Sequence, residues 1–215
     1  DFWRDTLNGA PEAEAPPFAD GHTRNTRFEG QTHHFALDAR LAQKIEAFGK
    51  SKGATLFATL MSSWAALVHR LTGRNDIVLG TPALGRSQGN LDNTLGFFVN
   101  VLPLRVNLAE AANWDSLIDQ TRRNLVAAMA HQNLPFRDIA ALVPDATTGN
   151  ELSPLFQTLF HLRVIEDPAL AGFFVPGRKG HMTLGPINRS ISISRKGNTR
   201  WWSSGSNWAM TCTVR

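Results

Sequence analysis

The 215-residue sequence lacks the features that mark disulfide-stabilised, secreted and membrane-spanning proteins. Its one cysteine, Cys212, excludes an internal disulfide framework and a multi-cysteine zinc site. It has no apolar run of about eighteen residues and no charged-then-apolar amino-terminal signal. With 42% hydrophobic residues, it has enough apolar side chains for a substantial core. We therefore expect a soluble, cytoplasmic protein without a membrane partner.

Charge is distributed unevenly along the chain. The formal net charge is +4, but residues 189–215 hold five of the 22 basic residues and none of the 18 acidic ones. Residues 1–188 are left nearly neutral, with 17 basic and 18 acidic side chains. A basic face that would bind nucleic acid is therefore not expected on the bulk of the chain.

Apolar periodicity predicts helices and strands that alternate, as in a mixed α/β domain. Asp38, Thr55 and Asn113 are residues that favour helix N-caps, and each precedes a periodic apolar segment. Helices are predicted at 1–7, 39–53, 56–72, 135–143 and in a long segment after Asn113, and strands at 32–37, 76–82, 95–106 and 155–164. The predicted core faces of the longer helices are Leu41, Ile45 and Phe48; Leu56, Leu60, Trp64, Leu67, Val68 and Leu71; and Trp114, Leu117, Ile118, Leu125 and Met129.

The segment 95–106 is the centre of this interpretation. It is rich in β-branched and aromatic residues, and its polar residues are Asn100 and Arg105. Pro103 cannot donate a hydrogen bond to a neighbouring strand, so it should lie at a sheet edge or at a bulge. We predict one long, largely buried strand that lines a cleft.

Several short motifs, taken in order, resemble the carboxyl-terminal half of the condensation domains of nonribosomal peptide synthetases. The resemblance covers residues 1 to about 188, and the order and spacing of the motifs make it specific. The motifs are Phe2-Trp3-Arg4 with Gly9-Ala10-Pro11, residues 53–57, 71–73 and 76–82, Gly85-Arg86, residues 95–100, Leu102-Pro103-Leu104-Arg105, residues 131–136 and, in degraded form, 153–157.

The resemblance implies an α/β fold: one chloramphenicol-acetyltransferase-like lobe, a mixed sheet packed by helices, with the second lobe absent. It implies amide formation between aminoacyl or peptidyl groups carried as thioesters on the phosphopantetheine of carrier proteins. The expected partners are those carrier proteins and the missing amino-terminal lobe. No cofactor, metal or nucleic acid is expected to bind directly.

A near-match to the family's catalytic histidine motif lies at His33-His34, four residues before Asp38. The resemblance places the true motif in the other lobe, upstream of the tryptophan motif that Trp3 represents. Asp38 is also better explained as a helix cap, and neighbouring strand residues point to opposite faces of a sheet. We therefore predict no catalytic residue in this chain and expect it to be inactive alone.

Two residues remain as candidates for the tunnel or substrate lining. Asn100 could hydrogen-bond a pantetheine amide, or it could satisfy a neighbouring strand. Arg86 could meet a phosphate or carboxylate in the cleft, or it could be a loop arginine in solvent. For His131, near a helix end, contact with the terminal carbonyl groups is favoured over chemistry.

Residues 189–215 depart from the family pattern, and we treat them as a separate, non-homologous basic tail. With suitable codons, a shifted reading frame beginning near Asn188 or Arg189 would restore an alternating apolar strand, so we hypothesise a frameshift. A natural disordered tail and an aromatic, basic nucleic-acid-binding arm are the alternatives. The coding sequence decides between them.

Three functions stay open from the sequence. The first is a fragment of a condensation domain that supplies one wall of the tunnel. The second is a non-catalytic module that binds a carrier protein or another lobe. The third is an epimerisation or heterocyclisation relative that shares this lobe.

Overall fold

The computed structural model describes residues 2–11, 31–86, 91, 94–143, 155–156, 158–165, 189–196 and 208–214. They form a six-stranded mixed sheet, with helices packed against it, in the strand order β1-β6-β5-β4-β2-β3. The helices are α1 (Phe2–Leu7), α2 (Ala39–Ser51), α3 (Leu56–Thr72), α4 (Trp114–Ala130) and α5 (Phe136–Ala140), and the strands are β1 (Gln31–Leu37), β2 (Asp76–Ala83), β3 (Asn100–Asn107), β4 (Thr158–Ile165), β5 (Arg189–Lys196) and β6 (Trp208–Val214). None of the described helices is long and apolar enough to span a membrane.

The predicted helix starts are confirmed by their capping hydrogen bonds. Asp38 accepts from the Leu41 amide, and Thr55 accepts from the Ala58 amide. Asn113 forms a full capping box with Ser116, in which each side chain accepts from the other residue's backbone. These bonds satisfy amides that have no partner inside the helix, which is why the polar caps locate the starts correctly.

The buried faces of α2 and α3 agree with the prediction in part. Leu60 is buried as predicted, and further predicted residues pack partly buried against the core: Ile45, Leu56, Trp64 and Val68. Leu41, Phe48, Leu67 and Leu71 are exposed instead. A Cβ atom at Gly49 would overlap the Thr59 side chain, so α2 and α3 approach each other closely at this position. The apolar pattern therefore missed part of each face, because α2 and α3 also pack through small side chains. The buried residues of α3 are Ala58, Thr59, Leu60, Met61, Ser62 and Ala65.

On α4 the prediction was right at the centre of the face and wrong at its ends. Leu117 and Ile118 are buried, but Trp114 is 51% exposed and Met129 is 39% exposed. Both outer residues lie in the terminal turns of α4, where they are not covered by β3 and α3, the elements that pack against this helix.

The predicted strand at 95–106 begins later than expected, at Asn100. β2 ends at Ala83, whose register partner is Asn100, so residues 95–99 lie beyond the paired ladder. Gly85 turns the chain with a φ of 65°, in the left-handed region that favours glycine. The apolar residues before Asn100 therefore form a loop, and Leu95 is fully exposed rather than buried.

Pro103 lies as predicted, because among the strands that the structure describes β3 stands at one edge of the sheet, beside β2. The predicted strand at 155–164 is observed as β4, which starts at Thr158. Phe156 and Phe160 are almost completely buried, and Leu159 on the other face of β4 is buried too. β4 is therefore a central strand that is covered on both faces.

Part of the segment treated as a tail lies in the sheet. β5 runs parallel to β4, and β6 pairs antiparallel with both β5 and β1. β5 and β6 are paired strands, whereas one alternative for this segment was a disordered tail. They alternate polar and apolar residues, as in Ser190-Ile191-Ser192-Ile193, which suits a strand. The frameshift hypothesis stays a prediction that the coding sequence will test.

Candidate functional site

The side chain of Asn100 holds the segment after α4 against the start of β3. Its Nδ2 donates to the carbonyl oxygens of Gln132 (2.9 Å) and Leu134 (2.8 Å). Its Oδ1 accepts from the amides of Phe136 (3.0 Å) and Val101 (2.9 Å). Both donors and both acceptor positions of the amide are therefore used within the chain.

α1 is attached to the same region through the predicted tryptophan motif. Trp3 is buried, and its Nε1 donates to the carbonyl oxygen of His131 at 3.1 Å. Phe2 stacks on the His131 ring with 4.0 Å between centroids. His131 Nδ1 lies 2.9 Å from the Ala127 carbonyl oxygen, which confirms the expected contact with a helix-terminal carbonyl. Motifs far apart in the sequence thus meet around the end of α4.

Arg105 fastens the other end of α1, a role that sequence reasoning missed. Its Nε and Nη2 form a two-pronged ion pair with Asp76, at 2.7 Å for the shortest contact. Its Nη1 donates to the carbonyl oxygens of Thr6 and Asn8, and its Nη2 donates to that of Gly9. The hydrogen bonds that Arg105 donates to the Asp76 carboxylate are the main cause of the raised pKa of Arg105. The available signal was an acid, Asp76, at the start of one predicted strand and an arginine near the end of another.

Side chains from α4 close the outer edge of β3. Asn124 Nδ2 donates to the Arg105 carbonyl oxygen at 2.7 Å. Gln120 binds both backbone groups of Asn107, accepting from its amide and donating to its carbonyl oxygen, each at 3.1 Å. Pro103 adds no amide to this edge. An edge strand normally offers such groups to another strand, and here they are occupied.

A cleft of about 400 Å³ lies between α1, this edge of β3 and α4. Trp3, Arg105, Gln120 and Asn124 are among its lining residues. Their polar groups already bond the backbone or Asp76, as described above. The cleft is therefore the seam at which α1 and α4 meet the sheet.

Arg86 is engaged within its own loop. Its Nη1 donates to the carbonyl oxygens of Leu91 and Thr94, the latter at 3.1 Å, and its guanidinium lies 4.7 Å from the centre of the Phe98 ring. It is therefore not simply a loop arginine in solvent. The predicted contact with a substrate phosphate or carboxylate stays a prediction for Arg86, as the tunnel role does for Asn100.

The near-match at His33 and His34 lies on β1 as predicted, and their side chains are outside what the structure describes. Asp38, the third residue of that near-match, is used as the N-cap of α2. Within the described part of the chain, no group of three or more potential ligands could hold a metal ion.

Comparison with known proteins places these features in a family. The family profile described as "Condensation domain" matches residues 1–172. Phosphinothricin tripeptide synthetase PhsC of Streptomyces viridochromogenes is 38% identical over 168 residues, which is 77% of this chain and 15% of that protein. Malpinin synthetase of Mortierella alpina is 33% identical over 170 residues, 79% of this chain and 2% of that protein. The chain thus spans a small part of these relatives.

Solved structures share the fold at low sequence identity. A four-domain nonribosomal peptide synthetase, holo-AB3403, matches with a TM-score of 0.81 and 18% identity over all of this chain and 17% of its own. A complex of the X-domain and OxyB from teicoplanin biosynthesis matches with a TM-score of 0.80 and 18% identity over 99% of this chain and 46% of its own. The first condensation domain of the CDA synthetase matches with a TM-score of 0.64 and 17% identity over all of this chain and 43% of its own.

The expected fold, a chloramphenicol-acetyltransferase-like arrangement of a mixed sheet and helices, is confirmed by these structures and by the sheet order. The motifs that carried the resemblance are also those that bind one another around α1, β3 and the end of α4. Given the profile match over residues 1–172, the chain belongs to the condensation-domain family of nonribosomal peptide synthetases.

Proposed function

We propose that this chain is the carboxyl-terminal half of a condensation domain and supplies one wall of the tunnel in which an amide bond forms. The observation that carries the proposal is the profile match over residues 1–172, in a chain that corresponds to 43% of the first condensation domain of the CDA synthetase. A match to about half of a solved domain suits one lobe of two.

The proposed reaction joins two acyl groups held on carrier proteins. The amine of the acceptor aminoacyl group attacks the thioester carbonyl carbon of the donor, so that a C–N bond forms and the C–S bond breaks. The proton that the amine loses goes to a base, and the departing phosphopantetheine thiolate gains one. In this proposal the base is a histidine of the other half, because the family's catalytic histidine motif is expected upstream of the tryptophan motif that Trp3 represents.

Asn100 and the segment it holds contribute shape to the tunnel wall. Since Gln132, Leu134, Phe136 and Val101 occupy the whole amide, a hydrogen bond from Asn100 to a pantetheine amide would have to replace one of these contacts. The role that costs least is to position the segment 131–136 beside the start of β3. Asn100 is thus proposed as a positioning residue of the wall.

Reconstitution with loaded carrier proteins tests this function. This chain and the longer domain that includes its upstream half are each mixed with donor and acceptor carrier proteins, and the dipeptidyl product is measured by mass spectrometry. We expect product from the longer domain only. Product from the 215-residue chain alone would contradict the proposal, and loss of that product in His34→Ala would assign the base to His34.

A non-catalytic interaction module is the second candidate. The structure described as a complex of the X-domain with OxyB is as similar to this chain as the four-domain synthetase, with TM-scores of 0.80 and 0.81. The fold is therefore compatible with a domain that binds a protein partner. A longer domain that binds a partner protein but yields no amide with any loaded carrier pair would favour this candidate.

The upstream coding sequence separates condensation from its relatives. An intact histidine-histidine motif before Asp1 favours condensation, and an aspartate in place of the first histidine favours heterocyclisation. Both outcomes leave the proposed position of this lobe unchanged. The absence of any upstream lobe favours the interaction module.

A further inference from the structure

The turn that follows α1 carries the one Asn-Gly pair of the sequence, Asn8-Gly9. Gly9 has a φ of 63°, in the left-handed region, and a Cβ atom placed on it would meet nothing within 4 Å. Asn8 is exposed, and within the described residues its side-chain amide forms no hydrogen bond. The Asn8 side chain can therefore turn toward the backbone amide of Gly9, and no side chain of the following residue hinders its approach.

Arg105 holds the backbone of this turn. Its Nη1 donates to the carbonyl oxygens of Thr6 (3.0 Å) and Asn8 (2.8 Å), and its Nη2 donates to that of Gly9 (3.0 Å). Together with the Asp76 carboxylate, these acceptors use all five N–H groups of the guanidinium. A positive charge thus lies in direct contact with the carbonyl oxygen of the Asn8–Gly9 peptide bond.

This contact affects the reactivity of the Gly9 nitrogen. The Asn8 carbonyl oxygen and the Gly9 nitrogen belong to one peptide group, so they share charge by resonance. When the Gly9 amide loses its proton, part of the negative charge comes to this oxygen, to which Arg105 Nη1 already donates. A fixed donor at an oxygen that gains charge lowers the free energy of the charged state. The contact therefore favours the deprotonated Gly9 nitrogen, which is the form that can act as a nucleophile.

We propose that Asn8 is a site of spontaneous deamidation in the folded chain and that Arg105 promotes this reaction. A base from solvent takes the proton of the Gly9 amide, and the nitrogen attacks Cγ of the Asn8 side chain, so that a succinimide ring forms. The C–N bond to the side-chain amino group breaks, and that group takes a proton and leaves as ammonia. Water then adds to one of the two ring carbonyl groups and breaks its C–N bond to the Gly9 nitrogen, which gives aspartate or isoaspartate.

Either product changes the attachment of α1. The new carboxylate competes with Asp76 for Arg105, whose donors are all in use. Isoaspartate also adds a carbon atom to the main chain before Gly9, so the spacing of the acceptors around the guanidinium changes. Deamidation should therefore loosen the end of α1 at Arg105, while the hydrogen bond from Trp3 to the His131 carbonyl oxygen at the other end is retained.

Peptide mapping of the intact 215-residue chain tests the proposal. The chain is incubated at mildly alkaline pH and digested, amide loss at each asparagine is followed by mass spectrometry, and isoaspartate is detected with an isoaspartyl methyltransferase. We expect Asn8 to react at least about tenfold faster than Asn107 and Asn133, because each of these precedes a leucine, whose side chain hinders ring closure. The modified chain, separated by ion exchange, should unfold at a lower urea concentration than the unmodified chain.

Two substitutions separate the action of Arg105 from a general loosening of the turn. Arg105→Gln removes the charge, whereas Asp76→Asn breaks the ion pair but leaves Arg105 beside the Asn8 carbonyl oxygen. We expect only Arg105→Gln to slow the loss of the Asn8 amide, by at least about fivefold. Circular dichroism checks that both variants are folded. A synthetic peptide of residues 1–11 gives the rate without Arg105, and the folded wild type should exceed it.

Equal rates at Asn8, Asn107 and Asn133 in the wild-type chain would overturn the proposal. An Arg105→Gln variant that reacts as fast as the wild type would overturn the role of Arg105, and so would an Asp76→Asn variant that is slowed to the same extent. A folded wild type that reacts more slowly than the peptide would show that the turn protects Asn8 and would contradict the proposal.

Discussion

The two ends of one strand, β3, present opposite surfaces to the surroundings. Toward its carboxyl end, the outer edge is closed: Gln120 and Asn124 bond its backbone groups, and Pro103 adds no donor. Before its amino end, the chain displays Leu95 and other apolar side chains to solvent. The same strand therefore has backbone groups that are bonded along its outer edge and, just before its first residue, apolar side chains that are exposed to solvent.

This difference separates contacts that the chain makes within itself from apolar side chains that it leaves exposed to solvent. Polar side chains on the closed edge prevent pairing with a foreign strand, a common protection of edge strands. The exposed apolar side chains at the other end gain free energy only when they are covered. Substitutions on the closed edge should therefore reduce the stability of the isolated chain, and substitutions of the exposed apolar residues should not.

Arg105→Ala is expected to have the largest effect on the closed side. It removes the ion pair with Asp76 and the bonds to three carbonyl groups at the end of α1, leaving a partly buried carboxylate without its partner. We expect a loss of about 3 kcal/mol in the free energy of unfolding, measured by urea denaturation. Arg123→Ala, which removes an exposed arginine of α4, is the control, and an equal loss in both variants would contradict the assigned role.

Asn100→Ala is expected to cause the second-largest loss of stability. Asn100 lies at the start of β3, between the closed edge and the exposed apolar residues. The substitution leaves the amides of Phe136 and Val101 without their side-chain partner, so we expect a loss of about 2 kcal/mol by the same measurement. Asn113→Ala removes an ordinary helix cap and should cost about 1 kcal/mol. If Asn100→Ala costs no more than this control, its bonds do not hold the 131–136 segment.

Asn124→Leu tests the closure of the edge itself. It keeps the branched shape of the side chain but removes the donor to the Arg105 carbonyl oxygen, and we expect a loss of about 1 kcal/mol. Hydrogen exchange of the amides in β2 and β3 should also become faster at this end of the ladder. Unchanged stability and exchange would mean that water replaces the bond without cost.

Phe97→Ser should change the stability of the isolated chain by less than about 0.5 kcal/mol, because the ring is mostly exposed. Phe98→Ser, its neighbour, should cost clearly more, since the ring of Phe98 packs against Arg86. Thermal denaturation of both variants measures the contrast. Equal losses would show that the exposed ring of Phe97 also contributes to the fold.

Asp119→Asn should have the smallest effect, and the effect should disappear at acidic pH. The hydrogen bond from Arg122 is the main cause of the lowered pKa of Asp119, so its carboxylate favours the folded state above its unfolded pKa. That contribution is lost as the pH falls through the folded pKa. The difference in Tm between the wild type and Asp119→Asn should therefore be present at neutral pH and vanish in acid, and salt should reduce it because the group is exposed. A difference that persists in acid would exclude this ion pair as its source.

Local features of the fold were predictable from the sequence. The caps at Asp38, Thr55 and Asn113 located three helices, because each cap bonds amides only two or three positions away. The apolar runs correctly indicated β2 and β4, which are buried. The family motifs correctly gave the fold class, since their order persists even where the identity is low.

The remaining features depend on contacts between distant segments. The buried faces of α2 and α3 were assigned only in part, because Gly49 and Thr59 determine how closely these helices approach and neither is strongly apolar. The strand at 95–106 was predicted too long because its apolar beginning lies in a loop beyond the ladder with β2. The bonds of Arg105 to Asp76 and to Gly9 join residues 29 and 96 positions away, which no local pattern encodes.

The attachment of α1 has a consequence for building chimeric synthetases. This short helix is fixed at one end by Trp3 and His131 and at the other by Arg105, so its matching surfaces come from three distant parts of the chain. A recombination junction placed between residues 12 and 30 would pair α1 from one parent with β3 and α4 from another. Crossovers that keep α1 together with everything up to α4 should yield folded hybrids far more often.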